Sequence, residues 1–301
     1  RAACDAAREG GVTGMLEALF EEALGAPCAG DFFAAGGDSL KATRLLVKLR
    51  ESLGRDVPFH ALTEAPTPSA LAAWLLRPET SGPDLEPDAR LAPALRPRAR
   101  TSPVSEGALL LTGATGFVGK LLLERLLARV AGPVLCLVRC ASLEDGLRRL
   151  GLADGPGRVE VIPGDLTAPR LGLGDAEYAA LAARTSRVVH NGALVNFVYP
   201  YRSLRAANVE GTRAMIEFAA DAGAELHHVS SVAVFESQGY ADAEEIREDA
   251  DIDLSVGLYD GYPQSKWVAE KLAREAGRRG LRVSIYRPGM VSGHSQTGAS
   301  N

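Results

Sequence analysis

Apolar positions recur three and four residues apart in the first quarter of the chain and form short unbroken runs in the rest. Met15, Leu16, Leu19, Phe20 and Leu24 share one helical face, and Gly25 ends that run. Ser39 to Leu53 keeps the same period through Leu40, Ala42, Leu45, Leu46 and Leu49, with Gly54 after it. A further helix is predicted over Pro68 to Leu76, with Thr67 as N-cap and Pro68 at the first helical position. Residues 1–77 therefore read as a small all-α bundle of three or four short helices with a thin core. Beyond Glu106 the pattern changes to apolar runs at 108–111, 134–138, 159–162, 187–190, 226–229 and 283–286, with helical stretches such as 120–129 and 267–276 between them. Continuous apolar strands alternating with helices predict a parallel sheet covered on both faces, a doubly wound α/β domain over 107–301.

The stretch 78–106 separates the two units. It holds six of the chain's 17 prolines (Pro78, Pro83, Pro87, Pro93, Pro97, Pro103) and few aromatic or β-branched residues. Such a segment reads as an extended linker whose ends, as a coil, lie roughly 30 Å apart.

Composition narrows the function classes. At 46% hydrophobic and 24% charged, the 301 residues have globular composition. Lys+Arg 33 against Asp+Glu 38 gives a net charge of −5, which argues against nucleic acid as the main partner. No apolar run reaches the roughly 18–20 residues that a membrane span needs. Cys4, Cys28, Cys136 and Cys140 are too scattered for a disulfide framework, and no second ligand pair suggests a metal site. The expectation is a reduced, cytoplasmic protein. The chain opens at Arg1 with no basic-then-apolar leader and closes in small polar residues up to Asn301, which suggests a piece of a longer protein.

Three segments carry candidate chemistry. In the first, Asp31-Phe32-Phe33-Ala34-Ala35-Gly36-Gly37-Asp38-Ser39-Leu40, two glycines free the backbone just before a helix, and Ser39 stands at its start. A serine there serves equally as a plain helix cap. The whole pattern, however, resembles the carrier (thiolation) domains of nonribosomal peptide synthetases and carboxylic acid reductases over about 11–76. The resemblance implies that Ser39 holds a 4′-phosphopantetheine arm, attached by a separate phosphopantetheinyl transferase, on which an acyl group rides as a thioester.

The second segment is Thr112-Gly113-Ala114-Thr115-Gly116-Phe117-Val118-Gly119, which follows a strand and opens a helix. Glycines at that spacing allow a tight turn and close backbone approach to a pyrophosphate at a helix N-terminus, the Rossmann-like arrangement. After the next strand stands Arg139 rather than an acidic residue, with Arg148 and Arg149 further on. A guanidinium suits a ribose 2′-phosphate, so NADPH is the expected cofactor. Asp165 is either an adenine ligand or a turn residue in Pro163-Gly164-Asp165. His190-Asn191-Gly192-Ala193 falls at a strand's carboxyl edge, with His190 read as a packed strand-end residue.

The third segment, Gly261-Tyr262-Pro263-Gln264-Ser265-Lys266, puts a tyrosine and a lysine one helical turn apart. An adjacent ammonium is expected to lower the phenol pKa from its ordinary value near ~10. Upstream, Ser230 and Ser231 sit where a strand ends, and strand alternation favours Ser231 as the one facing the site. The glycine motif with Ser231, Tyr262 and Lys266 resembles extended short-chain dehydrogenase/reductases. With Leu166, Asn191 to Asn196, Asn208-Val209-Glu210-Gly211-Thr212 and Tyr286-Arg287-Pro288-Gly289, the chain from about Leu109 on is more similar to the terminal thioester reductase domains of peptide synthetases and carboxylic acid reductases. The resemblance implies that Ser231 and Tyr262 bind a carbonyl oxygen, that Tyr262 supplies the proton, and that Lys266 holds ribose hydroxyls. It extends the cofactor set to Gly113, Thr115, Gly116, Phe117, Val118, Gly119, Arg139, Arg149, Asp165, Leu166, Asn191, Gly192, Ala193, Asn208 and Pro288. It also implies a C-terminal helical substrate lobe that this sequence does not contain.

Together the two resemblances imply NADPH-dependent reductive release of an acyl or peptidyl thioester from the arm on Ser39. The product is an aldehyde and, with a second hydride, an alcohol, and the expected partners are an upstream adenylation domain and the carrier-bound thioester. Two rivals remain at this point: a tailoring enzyme of the same fold, such as an epimerase or dehydratase, and a non-catalytic docking scaffold.

Overall fold

The computed structural model describes residues 2–53, 57, 59–76, 84–99, 107–152, 157–240, 243–253, 258, 260–293 and 298, with side chains at all of these except 2–10, 39, 60 and 238. The chain forms two compact units, the first over Arg1–Pro83 and Phe197–Pro200 and the second over Asp84–Asn196 and Tyr201–Asn301. No helix among the described residues is long and apolar enough to cross a membrane.

The described residues of the first unit form helices α1 (Ala2–Leu24), α2 (Ser39–Leu53), α3 (Phe59–Glu64) and α4 (Pro68–Leu76). Its core gathers Leu16, Phe20, Phe32, Leu45, Leu49, Leu62 and Leu71. Gly25, at φ +80°, ends α1 as its sequence position predicts. Thr67 Oγ1 accepts the Ala70 N–H at 3.1 Å, the predicted cap of α4. The extra helix α3 is too short to show a periodic pattern.

The second unit contains strands β1 (Ala108–Thr112), β2 (Val134–Val138), β3 (Val159–Pro163), β4 (Thr185–His190), β5 (Glu225–Val229) and β6 (Val283–Tyr286). They make one parallel sheet in the order β3-β2-β1-β4-β5-β6, so the chain reverses direction of growth between β1 and β4. In such sheets a crevice opens at that point, beyond the carboxyl ends of the strands. Helices α5 (Phe117–Arg129) and α6 (Leu143–Leu150) belong to one side. There Leu109, Leu111, Cys136, Val138 and Val161 pack with Leu123 and Leu150. Helices α7 (Asp175–Arg184), α9 (Gly211–Ala222) and α10 (Gly261–Arg278) bury the other, around Leu110, Leu135, Val188, Leu226, Phe218 and Val268. Between β4 and α9 run a short helix, α8 (Tyr201–Arg205), and one turn of π-helix, Ala206–Glu210.

The proline-rich stretch departs from its reading as an open linker. Ala89 and Leu91 are buried in the core of the second unit. Asp88 receives two hydrogen bonds from Arg205, both at 2.7 Å, and one from the Tyr201 hydroxyl at 2.6 Å. Arg213 donates to the carbonyls of Asp88 and Arg90, and Arg279 to those of Leu91 and Ala92. The Leu91 N–H donates to Glu275 at 2.8 Å, and the Arg98 N–H to the Ala220 carbonyl at 2.9 Å. Prolines deny this segment regular secondary structure, so arginines from neighbouring helices satisfy its carbonyls instead. It is a strap, bound side chain to main chain.

The arginine beside Asp88 lowers its carboxyl from an ordinary 3.8 to about 2. A depressed carboxylate stabilises the folded state above its ordinary value and loses that contribution as pH falls through the folded one. Asp88→Asn is therefore expected to cost about 1–3 kcal/mol at neutral pH. The gap from the parent should shrink between pH 4 and 2, as read by denaturant titrations across that range.

Candidate active site at the carboxyl edge of the sheet

Backbone turns and one carboxylate cap shape the loop that leads into α2. Asp31 Oδ1 accepts the N–H groups of Phe33 and Ala34 at 2.8 and 3.0 Å, which folds the loop back on itself. Phe32 is fully buried, edge-on to Phe20 at 5.3 Å, and a Cβ at Gly37 would stand 2.3 Å from its ring. Asp38, not Ser39, caps α2: its Oδ1 accepts the Lys41 N–H at 2.8 Å. The Ser39 side chain itself lies outside the described ones.

In the second unit, the turn from β1 to α5 is fixed by three close contacts. Gly113 has φ +69°, and a Cβ there would lie 2.7 Å from the Gly192 Cα. A Cβ at Gly119 would stand 1.9 Å from the Gly113 carbonyl oxygen, so α5 can pack against the turn only with glycine at this point. Gly116, the N-cap residue of α5, would meet nothing closer than 3.5 Å. No side chain caps α5, so the N–H groups of its first turn, Phe117, Val118 and Gly119, keep their capacity for an anion. Asn191 donates to the Gly113 carbonyl at 3.4 Å, and Leu166 packs at Gly192. This cradle fits a dinucleotide pyrophosphate.

Arg139 follows β2, is largely exposed, and stands 3.8 Å from Asp165 Oδ2. Arg149 is committed elsewhere: it pairs with Asp145 on its own helix at 3.1 Å, as does Arg148 at 2.6 Å. Asp165 takes the turn role, since its Oδ1 accepts both the N–H and the hydroxyl of Thr167 at 2.8 Å. Those bonds hold its carboxyl below the usual range.

Strand alternation separates the two serines as expected. Ser230 is buried and donates to Glu270 at 2.7 Å, whereas Ser231 hydrogen-bonds Tyr262. Ser231 also accepts the Ala233 N–H at 3.2 Å and so caps a 3₁₀ turn, Val232–Phe235. Pro288 acts through its carbonyl, which accepts the Val232 N–H at 3.2 Å. Fully buried Glu270 gathers Arg274 and Arg287 as well as Ser230, while Arg287 lies over the Phe235 ring at 4.9 Å. This buried cluster ties the end of β5, α10 and the exit of β6 together.

Helix α10 begins after Asp260, which places Tyr262 and Pro263 in its first turn, where proline is tolerated. Lys266 is buried and donates to the Val229 carbonyl at 2.7 Å. Burial lowers its ammonium from 10.5 to about 8, with Glu270 opposing. The expected effect of Lys266 on Tyr262 is not found. Burial raises the phenol, the Ser231 bond lowers it and Glu236 raises it, for a net rise. The ammonium is turned toward main chain, and the tyrosine is kept protonated, the form a proton donor requires.

Asn208 is a brace. Its Oδ1 accepts the Leu194 N–H at 2.7 Å, and its amide donates to the Leu194 carbonyl at 3.0 Å and to Ser265 Oγ at 2.9 Å. Ser265 in turn donates to the Tyr262 carbonyl at 2.8 Å. With both amide protons spent, Asn208 supports the site rather than offering a donor to a cofactor. Thr112, Thr212, Glu270 and Arg287 were not marked as site residues by sequence reasoning. Thr112, Thr212 and Arg287 stood inside the quoted motif segments without a role, and the signal for Glu270 was its position four residues after Lys266.

A glycine cradle at the reversal point of a six-stranded parallel sheet, with Ser231, Tyr262 and Lys266 at the same edge, defines a dinucleotide-binding domain of the short-chain dehydrogenase type. The male sterility protein family, an NAD-binding family, matches residues 111–301, and the phosphopantetheine attachment site matches residues 16–75. The chain belongs to the male sterility protein family, here joined to a phosphopantetheine-attachment domain. It is 40% identical over 291 residues to a linear gramicidin synthase of Brevibacillus parabrevis, covering 89% of this chain and 6% of that protein. It is 34% identical over 312 residues to L-2-aminoadipate reductase of Schizosaccharomyces pombe, covering 90% of this chain and 22% of that one. The chain thus spans only a small part of the length of either relative. Among solved structures, the terminal R domain from the myxalamid PKS-NRPS biosynthetic pathway matches with TM-score 0.65 and 42% identity, over 72% of this chain and 58% of that one. A thiolation-reductase di-domain from an archaeal nonribosomal peptide synthetase shares the fold, with TM-score 0.65 and 22% identity, over 96% of this chain and 65% of that one.

Unfolded chain binds more protons than folded chain between pH 8 and 10.5 if Lys266 titrates near 8, so that stability rises with pH across that window. Lys266→Met is expected to raise the melting midpoint by a few degrees at pH 7. The gain should vanish toward pH 10.5, as calorimetric scans at several pH values would show.

Proposed function

We propose that this chain is a carrier–reductase pair that releases an acyl or peptidyl thioester from an arm on Ser39 by NADPH-dependent reduction. The observation that carries the reading is the presence in one chain of a phosphopantetheine attachment domain and a dinucleotide cradle beside the Ser231–Tyr262 hydrogen bond. NADPH held in the cradle would supply the hydride, and the phosphopantetheine arm on Ser39 would carry the thioester. The protein's own groups do the rest. First-turn N–H groups of α5 bind phosphate, and Arg139 pairs with a 2′-phosphate. Ser231 and Tyr262 hold the carbonyl oxygen, and the Tyr262 proton meets the charge that develops there. A new C–H bond forms and the C–S bond breaks, so the acyl group leaves as an aldehyde and the sulfur as a free thiol. A second hydride gives the alcohol.

The reading asks for an adenylation domain upstream to supply the acyl group and for a phosphopantetheinyl transferase to install the arm. It sets the reaction in the cytoplasm. Tethering raises the local substrate concentration to about the millimolar range, so transfer does not require tight docking.

In the full-length protein, loading Ser39 with a model acyl arm and adding NADPH should release aldehyde or alcohol, identified by mass spectrometry. Release of free acid alone would overturn the reading. Ser39→Ala should abolish loading, and Tyr262→Phe should load normally yet turn over about 10²–10⁴ times more slowly. Arg139→Asp should weaken NADPH more than NADH in binding titrations, and equal losses would contradict the cofactor assignment.

A further inference from the structure

One run of buried hydrogen bonds connects the two halves of the site, and its direction is fixed throughout. Thr212 Oγ1 lies 2.6 Å from the Asn208 carbonyl, which can only accept, so the Thr212 proton is spent there. His190 Nε2 lies 3.0 Å from the same hydroxyl oxygen and must therefore carry the proton between them. His190 is fully enclosed, and burial with the nearby Lys266 ammonium pushes it down to about 3, so the ring is neutral and Nδ1 is bare. Nδ1 then accepts the Thr112 hydroxyl at 2.8 Å, and Thr112 Oγ1 accepts the Gly192 N–H at 2.9 Å.

Each end of this run reaches working parts. Gly192 sits against Gly113, where a Cβ on Gly113 would meet the Gly192 Cα at 2.7 Å, so the first end is the dinucleotide cradle. Asn208 holds Leu194 and Ser265, and Ser265 holds the Tyr262 carbonyl, so the other end is the first turn of α10. No group in the run is left with a choice of partner: a neutral imidazole offers one donor and one acceptor, and each hydroxyl gives its single proton once.

We infer that His190 is a positioning residue that couples the Gly113/Gly192 cradle to the Tyr262 helix, through Thr112 on one side and Thr212 and Asn208 on the other. At 1% exposure the ring is closed off from the surface and acts through its neighbours. Its contribution is to lock the spacing between the place where a dinucleotide would lie and the hydroxyl that would donate the proton. The inference rests on the dinucleotide reading only for its consequence; the coupling itself belongs to the protein without ligand.

The test breaks the run at each end with near-isosteric changes, Thr112→Val and Thr212→Val, and follows amide hydrogen exchange in the 301-residue chain. Coupling predicts crossed effects. Thr112→Val should speed exchange in the first turn of α10 by roughly fivefold, and Thr212→Val should do the same at the Gly192 amide, which bonds Thr112. Faster exchange confined to the side of each substitution would overturn the inference. Nitrogen-15 NMR of the imidazole should show Nε2 protonated and Nδ1 bare from pH 5 to 9, and the opposite tautomer or a titration in that range would also overturn it. Should His190→Phe prove too unstable to study, the two threonine variants still decide. Calorimetry with NADPH separates this inference from the functional reading. Failure of the parent chain to bind would count against the dinucleotide site alone, whereas binding weakened severalfold by Thr212→Val, which leaves Thr112 and the Gly113/Gly192 pair unaltered, would support the coupling.

Discussion

No side chain can stand at Gly119, because a single carbon there would overlap the carbonyl oxygen of Gly113. That exclusion lets α5 begin against the end of β1, with the N–H groups of its first turn turned outward and uncapped. The carboxyl edge of the sheet inherits its form from this contact. Gly192 is drawn to Gly113, Leu166 closes behind Gly192, and the crevice between β1 and β4 is floored by main chain rather than by side chains. A surface made of peptide dipoles is suited to a charged, extended ligand that must lie close to backbone.

The second determinant is electrostatic and lies below the site. Glu270 is fully enclosed, yet two guanidiniums and a serine hydroxyl surround it. Removing any one partner would leave a poorly compensated charge, which is why such clusters hold their neighbours in a single arrangement. Here the neighbours are the end of β5, the middle of α10 and the exit from β6. Ser230 is pulled inward by this cluster, and the pleat then has to turn Ser231 the other way, toward Tyr262. Lys266, one turn before Glu270, shares the low-dielectric surroundings and is held closer to neutrality than a surface lysine.

Most of the architecture could be read in advance because its determinants are local. The runs at 134–138 and 283–286 became β2 and β6 residue for residue, and Ser39 to Leu53 became α2. Apolar periodicity, with Gly25 and Thr67 at the ends, carried that information. The glycine turn was legible for the same reason, since spacing along one strand–turn–helix fixes it, whereas the pairing of Ser231 with Tyr262, on different elements, was implied only by the family resemblance. What escaped was set by partners distant in sequence. Asp88 meets Arg205 across 117 positions and Leu91 meets Glu275 across 184, so composition alone suggested an open linker. The capping of α2 by Asp38 instead of Ser39 is a shift of one residue, below the resolution of any propensity argument. The phenol of Tyr262 was expected to feel Lys266, but the lysine found the Val229 carbonyl, a partner no linear pattern announces.

The strap also bears on where such chains can be recombined. A splice at Gly107 looks natural, just ahead of β1, yet it would discard Asp88, Ala89 and Leu91, leaving a gap in the core of the second unit and four arginine–carbonyl bonds unmade. A junction between Leu76 and Asp84 keeps α4 whole on one side and the strap whole on the other. Exchanges of the first unit would therefore do better to cut before Asp84 than after Pro103.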